Sequence, residues 1–156
     1  MSAPWYPSRL ALATLILATP AAAGACGGIE GSSDYCTPVV ACIEDTGVHF
    51  TGRAVGWGSG TLAGQLSSGA ICSGTWVSRN RLGLGQADLD CDDGQSGTVI
   101  FTYQDGATGT ATGRGLTKGG QAVRGWSGRN IRAFLRAETG EVDPRLMCGE
   151  VEIPLS

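Results

Sequence analysis

The chain has 156 residues, a length that suits one domain and is too short for two of ordinary size. Its formal net charge of −3 argues against nucleic acid as a partner, because that interaction depends on a basic surface. A single histidine, His49, also leaves little material for His-dependent catalysis or a zinc site.

The first segment, 1–23, has the pattern of a secretory signal peptide. Arg9 provides a positive start, 10–17 is an apolar run, and Pro20 precedes three alanines that form a small-residue cleavage site. No other segment is apolar enough to cross a bilayer, so we predict a secreted or periplasmic protein without a transmembrane segment. Lipid anchoring through Cys26 is the alternative, although Ala23 stands where lipoprotein signals usually carry leucine.

Six cysteines in an exported chain predict a disulfide framework. Acylation of Cys26 would leave an odd number, whereas free secretion keeps all six for pairing. Sequence alone allows 15 connectivities for six cysteines. Proximity along the chain favours three pairs, namely Cys26 with Cys36, Cys72 with Cys91, and Cys42 with Cys148.

The mature chain divides into three segments by composition. Residues 24–45 are rich in turn-forming residues and are predicted to be a loop segment tethered by disulfides. Residues 46–128 contain short β-branched and aromatic runs punctuated by glycine, which predicts a β-hairpin repeat domain. Residues 129–156 form a closing segment. The predicted strands are 48–57, 60–67, 70–77, 82–91, 97–104, 107–117 and 121–127.

A glycine pattern recurs through the hairpin domain. Gly-x-Gly pairs begin at Gly58, Gly83 and Gly113, and each leads to a turn and then to an aromatic residue. The pattern predicts an all-β fold of antiparallel hairpins in a curved sheet, small barrel or sandwich. Glycine within strands either marks curvature or leaves a floor for a neighbouring aromatic ring. The aromatic residues in this role would be Trp57, Trp76, Phe101 and Trp126, which we assign to structure rather than to ligand stacking.

One stretch, 72–85, resembles a family of known repeats. Its sequence CSGTWVSRNRLGLG is similar to a MORN repeat, with Gly74, Trp76, Gly83 and Gly85 in register and Cys72 where the family usually has tyrosine. The resemblance implies an antiparallel sheet used for scaffolding and, in some members, lipid contact. The wider pattern also looks like small exported proteobacterial proteins and lipoproteins of unassigned function.

The closing segment contains two predicted elements. Residues 129–137, RNIRAFLRA, fit a short helix with Asn130 as its cap, although the alternation also fits a strand. Residues 146–153, LMCGEVEI, are predicted to form a final strand that Cys148 fastens to the domain.

No residue pattern in the chain predicts catalysis, a metal or a cofactor. Asp88, Asp90 and Asp92 alternate as calcium ligands do, but the loop glycine comes one residue late and Val99 occupies the position of the bidentate glutamate. The fragments Gly58-Ser59-Gly60 and Trp126-Ser127-Gly128 do not complete a nucleophile elbow.

Basic residues predominate after residue 105, and no acidic residue occurs before Glu138. If they converge, they form a patch for an anionic envelope polymer or an acidic protein; a solvated surface is the alternative. The patch would consist of Arg114, Lys118, Arg124, Arg129, Arg132 and Arg136.

We therefore predict an exported, non-enzymatic binding or envelope-associated protein. One alternative is a secreted hydrolase inhibitor that uses loop 78–81 or 92–95 as its working part. Another is an enzyme whose carboxylates come together only in the fold.

Overall fold

Eight antiparallel strands close into a barrel in the computed structural model, which describes residue 26 and residues 36–128 and 130–153. Each strand pairs with the next in chain order, and β8 pairs back with β1. The strands are β1 (Cys36–Ile43), β2 (His49–Trp57), β3 (Ser59–Leu66), β4 (Ile71–Val77), β5 (Gly85–Cys91), β6 (Ser96–Asp105), β7 (Thr110–Thr117) and β8 (Ala122–Ser127). This small disulfide-linked barrel confirms the predicted all-β class.

Strand β1 corrects the prediction that 24–45 is a loop segment. Its sequence CTPVVACI contains Pro38, and proline together with threonine suggested a turn. The β1–β8 ladder runs only from Val39 to Ile43, and Pro38 lies just beyond it. The Pro38 carbonyl accepts a hydrogen bond from the Gly128 N–H at 3.1 Å, so the missing proline N–H falls at the end of the ladder.

Large and very small side chains alternate at the inward positions of the barrel. In the β2–β3 ladder, Phe50 lies opposite Leu66, whereas Gly52 lies opposite Gly64. A Cβ atom placed on either glycine would lie 2.5 Å from Cζ of Phe50, so the ring rests on bare backbone. Glycine therefore provides the floor for an aromatic ring at this position.

The aromatic residues singled out from the sequence have different surroundings. Phe101 lies over Gly85, where a Cβ would come within 2.7 Å of its Cδ2 atom. Trp76 points into the barrel opposite Gly60. Trp126 belongs to a cluster on the outer side, and Trp57 is 72% exposed at the end of β2. They form no continuous ladder, because Trp126 lies on the outer side and Trp57 lies at the exposed end of β2.

Helix α1 (Ile131–Thr139) covers the outer face of β1 and β8. Its buried residues Ile131 and Leu135 are four apart and share one face, which packs with Val40 and Trp126. The helix confirms the helical interpretation of 129–137. Asn130 precedes it without a side-chain capping hydrogen bond.

A two-stranded hairpin of β9 (Met147–Cys148) and β10 (Val151–Glu152) follows the helix. The prediction of one strand over 146–153 is therefore wrong, because the chain reverses at Gly149, whose φ is 60°. The reversal lets the Ile153 N–H donate to the Leu146 carbonyl at 2.8 Å. Both residues are buried in the outer cluster with Cys148.

Three disulfide bonds link Cys26 to Cys36, Cys42 to Cys148, and Cys72 to Cys91. These are the pairs that proximity along the chain predicts. Three intramolecular disulfides indicate an oxidising, extracytoplasmic environment. The proposed signal peptide, 1–23, lies outside the described residues, and the MORN-like character of 72–85 stays a prediction.

Candidate functional site: the barrel cavity

The barrel encloses a cavity of about 630 Å³. A closed eight-stranded barrel is just wide enough to be filled by side chains or to hold one small ligand. Here glycine and alanine occupy many inward positions, among them Ala54, Gly56, Ala87, Gly97 and Gly125, and all five line the cavity. The space therefore remains open because the residues that face it are small.

The lower end of the barrel carries the turns β1–β2, β3–β4, β5–β6 and β7–β8, and bulky groups fill it. Phe50, Leu66 and Cys72 form a buried cluster there, with exposed fractions of 3%, 5% and 1%. The Cys72–Cys91 disulfide joins directly opposed inward positions of β4 and β5. Buried apolar side chains therefore form much of the floor of the cavity at this end.

The upper end carries the turns β2–β3, β4–β5 and β6–β7, and here the cavity reaches the surface. Trp57, which is 72% exposed, lines the cavity at this end together with Ser78 and Gly106. The Ser78 N–H donates to the Gly58 carbonyl at 2.7 Å and joins two of the turns. A ligand therefore has a route of entry between the turns of the upper end.

Polar residues line the cavity at both ends, with Gln95, Ser96 and Thr117 at the lower end, and several of those near the upper end are hydrogen bonded. The Thr108 and Thr110 hydroxyls are 2.7 Å apart, and the Ser127 hydroxyl donates to the Gly109 carbonyl at 3.0 Å. The indole Nε1 of Trp76 donates to the Val55 carbonyl at 3.4 Å. Several hydroxyl groups near the mouth are therefore already hydrogen bonded within the protein.

Asp105 is the one charged residue among the described residues that line the cavity. Hydrogen bonds from the Thr108 hydroxyl at 2.6 Å and from the Ala107 N–H at 3.0 Å hold the pKa of Asp105 below its ordinary value. The carboxylate is therefore ionised at neutral pH and places a negative charge at the mouth.

The structure distributes the predicted basic patch over several elements. Arg114 and Arg124 are direct cross-strand partners on the outer face of β7 and β8. Arg124 also lies 3.8 Å from a Glu44 carboxylate oxygen and 5.1 Å from the Trp126 ring centroid. Lys118 lies in the β7–β8 turn at the lower end.

The helical members of the patch have separate surroundings. Arg132 is paired with Asp143 at 3.3 Å, and Arg136 lies in the last turn of α1. Arg129 falls outside the described residues. The structure therefore brings Arg114 and Arg124 together and places the other described members elsewhere.

The acidic cluster around Cys91 makes protein contacts instead of a metal site. The Asp88 carboxylate accepts hydrogen bonds from the Thr98 hydroxyl at 2.6 Å and from the Gln86 amide at 2.8 Å. Asp92 accepts from the Ile71 N–H at 3.0 Å. Within the described residues, no group of three or more acidic, histidine or cysteine side chains could hold a metal ion.

The two loops considered for an inhibitor lie at opposite ends of the barrel. Residues 78–81 belong to the β4–β5 connection at the upper end, where the Asn80 side chain accepts hydrogen bonds from the Leu82 and Leu84 N–H groups. Residues 92–95 form a tight turn at the lower end, in which the Asp93 side chain accepts from the Gln95 N–H.

Sequence reasoning did not identify the cavity or the residues that line it. The signal was present in the alternation itself, since Phe50, Gly52, Ala54 and Gly56 occupy successive inward positions of β2. Inward side chains this small cannot fill the interior of a closed eight-stranded barrel. The inference requires knowledge that the sheet closes, which local patterns do not provide.

No family model matches the sequence, and no curated protein matches it. A solved structure, that of a redesigned β-barrel, mFAP0, bound to DFHBI, is similar to the chain with a TM-score of 0.46. The two sequences are 14% identical, and the match covers 60% of this chain and 95% of that one. Among the described residues, no helix has the length and apolar character that crossing a membrane requires.

Proposed function

We propose that the protein is an extracytoplasmic binding protein that holds one small, largely apolar ligand inside its barrel. The observation that carries the proposal is the cavity of about 630 Å³, which reaches the surface at its upper end and has buried apolar side chains in its floor. Its volume lies in the range of small-molecule sites, which are mostly apolar with a few placed polar groups. Burial of an apolar ligand against such a lining supplies the binding free energy.

The distribution of charged side chains in the barrel favours a ligand whose buried part is uncharged. Charged side chains of the strands lie on the outer face, as Arg114 and Arg124 do, and Asp105 is confined to the mouth. A charge placed deep in the cavity would lose its hydration without gaining a partner of opposite sign. A neutral molecule avoids this cost.

The proposed location is the periplasm or the extracellular medium, reached through the predicted signal peptide 1–23. The Cys26–Cys36 disulfide supports free secretion over lipid anchoring, because a thiol engaged in a disulfide is not available for acylation. Anchoring through Cys26 would require that bond to be absent.

Replacing Ala87 with phenylalanine tests the proposed function. Ala87 points inward between Trp76 and Val99, so the added ring occupies cavity volume. We expect Ala87→Phe to weaken binding of the neutral fluorophore N-phenyl-1-naphthylamine at least tenfold in a fluorescence titration. Such a loss corresponds to about 1.4 kcal/mol or more of binding free energy.

The matched control is Ala63→Phe, which makes the same change on the outer face of β3, where Ala63 is exposed. This variant should bind the fluorophore as the unmodified protein does. Equal fluorophore affinity in both variants and in the unmodified protein would place the fluorophore outside the barrel and contradict the proposal.

The basic residues favour a second candidate function, recognition of an anionic polymer or an acidic protein. The specific observation is that Arg114 and Arg124 lie directly opposite each other on exposed strands, an arrangement that is repulsive without a partner. Glu44 and the Trp126 ring partly compensate Arg124. We rank this candidate second because the other described basic residues of the predicted patch lie elsewhere.

A further inference from the structure

A β-bulge in β6 changes which side chains of that strand face the cavity. Phe101 pairs with Gly113 and points inward, but the register then shifts before Tyr103. After the shift, Gln104 pairs with the inward residue Ala111. Strict alternation from Phe101 would turn residue 103 inward and residue 104 outward. The bulge therefore turns a glutamine into the cavity in place of a tyrosine.

The displaced tyrosine has a structural partner on the outside of the barrel. The Tyr103 ring lies 5.0 Å from the Phe134 ring, centroid to centroid, and so contacts α1. Packing of the helix against the barrel thus stabilises the bulged register. The inward orientation of Gln104 is a consequence of that register.

The Gln104 amide lies beside Phe101 against the bare backbone of Gly85. A Cβ atom on Gly85 would come within 2.6 Å of Nε2 of Gln104 and 2.7 Å of Cδ2 of Phe101. The hydroxyls of Thr108, Thr110 and Ser127 are already hydrogen bonded. Gln104 is exposed at the mouth, and among the described residues its side-chain amide has no protein hydrogen-bond partner. It is a donor and acceptor available at the mouth of an apolar cavity.

We propose that Gln104 is the specificity-determining residue of the cavity, and that the ligand is an uncharged molecule with an apolar body and one hydrogen-bonding group. This inference rests on the proposed function. The amide can both donate and accept, so it suits a hydroxyl, carbonyl or amide on the ligand. Phe101 and Trp76 contact the apolar body below it, and the ionised Asp105 at the mouth disfavours a carboxylate.

A pair of ligands that differ by one hydroxyl tests the role of Gln104. Affinities of the full chain for 2-naphthol and naphthalene are measured by displacement of N-phenyl-1-naphthylamine. We expect Gln104→Leu to weaken 2-naphthol binding about 3- to 10-fold, the range of one neutral hydrogen bond, and to change naphthalene binding less than twofold. Gln121→Leu, the same substitution in the exposed β7–β8 turn, should change neither affinity.

A second variant and one charged ligand complete the test. Gln104→Asn keeps an amide but shortens its reach, and it should weaken 2-naphthol binding while thermal unfolding shows an intact fold. We expect 2-naphthoate to bind at least tenfold more weakly than 2-naphthol, because its carboxylate would lose hydration and meet the negative charge of Asp105 at the mouth.

Two results would overturn the inference while leaving the proposed function in place. One is an equal loss of 2-naphthol and naphthalene affinity in Gln104→Leu. That result would show that Gln104 contributes to binding through packing and not through a hydrogen bond. The other is 2-naphthoate binding as tightly as 2-naphthol. If the unmodified protein binds neither the fluorophore nor the naphthalenes, the proposed function fails and this inference fails with it.

Discussion

Glycine at inward positions determines where the barrel is filled and where it is empty. At the lower end, Gly52 and Gly64 allow the Phe50 ring to lie flat on the wall and plug the interior. Other inward glycines, such as Gly97 and Gly125, line the cavity instead. The same residue type therefore allows dense packing at some inward positions and leaves space open at others.

Substitution of Gly64 tests the packing role. A Cβ there would lie 2.5 Å from the Phe50 ring, 2.6 Å from Cα of Gly52, and against the Thr51 carbonyl oxygen. Because two of these contacts are with backbone, relief requires strand movement, and we expect Gly64→Ala to lower the free energy of unfolding by about 1–3 kcal/mol. Urea denaturation monitored by circular dichroism measures this loss.

Gly106→Ala is the matched control for that measurement. No atom lies within 4 Å of a Cβ placed at Gly106 in the β6–β7 turn. Its free energy of unfolding should therefore stay within about 0.5 kcal/mol of the unmodified protein. An equal loss of unfolding free energy in Gly106→Ala and Gly64→Ala would contradict the packing role of Gly64.

Gln104 marks the limit of what residue patterns can predict. Period-2 alternation from Val99 and Phe101 assigns Gln104 to the outside, and only the bulge reverses this assignment. A bulge depends on pairing with β7 and on the contact between Tyr103 and Phe134 from α1. Phe134 is distant from Tyr103 in sequence, so no pattern within β6 contains the information.

Strands were predictable from sequence where hydrophobic runs and glycine turns agree. The predicted segments from 48–57 to 121–127 correspond to β2 through β8, each with similar bounds. β1 was missed because the Thr37-Pro38 pair is typical of a turn, whereas here the proline lies at the end of a ladder. Local propensity cannot distinguish a proline in a turn from a proline at the end of a strand ladder, because the position of that end depends on where β8 ends.

The disulfides of the barrel differ in the length of chain that they close. Cys42–Cys148 spans 106 residues and joins the β9–β10 hairpin to β1, whereas Cys72–Cys91 spans 19 and joins neighbouring strands. The chain-entropy model assigns about 4–5 kcal/mol to a loop of the first length and about 3 kcal/mol to the second. The long-range bond should therefore contribute more to stability.

Paired alanine variants test this order. We expect Cys42→Ala/Cys148→Ala to lose more free energy of unfolding than Cys72→Ala/Cys91→Ala, by about 1–2 kcal/mol, in urea denaturation under non-reducing conditions. Each variant removes two cysteines; Cys42, Cys148 and Cys72 are buried and Cys91 is half-buried, so the loss of packing acts in the same direction. A larger loss for the short-range pair would show that local strand pairing, not chain closure, dominates.

At the scale of the whole molecule, closure of the sheet creates the candidate site. The sequence pattern predicted hairpins and allowed a curved sheet, a barrel or a sandwich, and only the β1–β8 pairing selects the barrel. With β1 assigned to a loop, that pairing could not be foreseen. The cavity results from closure of the sheet together with small inward residues. The small inward residues are visible in the sequence, but the closure was not predicted, and so neither was the cavity.

The central claim, that the barrel interior binds an apolar ligand, is tested most directly by locating a bound probe. The ¹H–¹⁵N NMR spectrum of the protein is recorded during titration with N-phenyl-1-naphthylamine, and residues of the two faces are compared. We predict saturable shifts at one equivalent for the Trp76 indole N–H and for the backbone amides of Ala87 and Phe101, which line the cavity. Arg114 and Arg124 on the outer face should remain unshifted. Shifts confined to the outer face, or no saturable shift at the cavity residues, would contradict the claim.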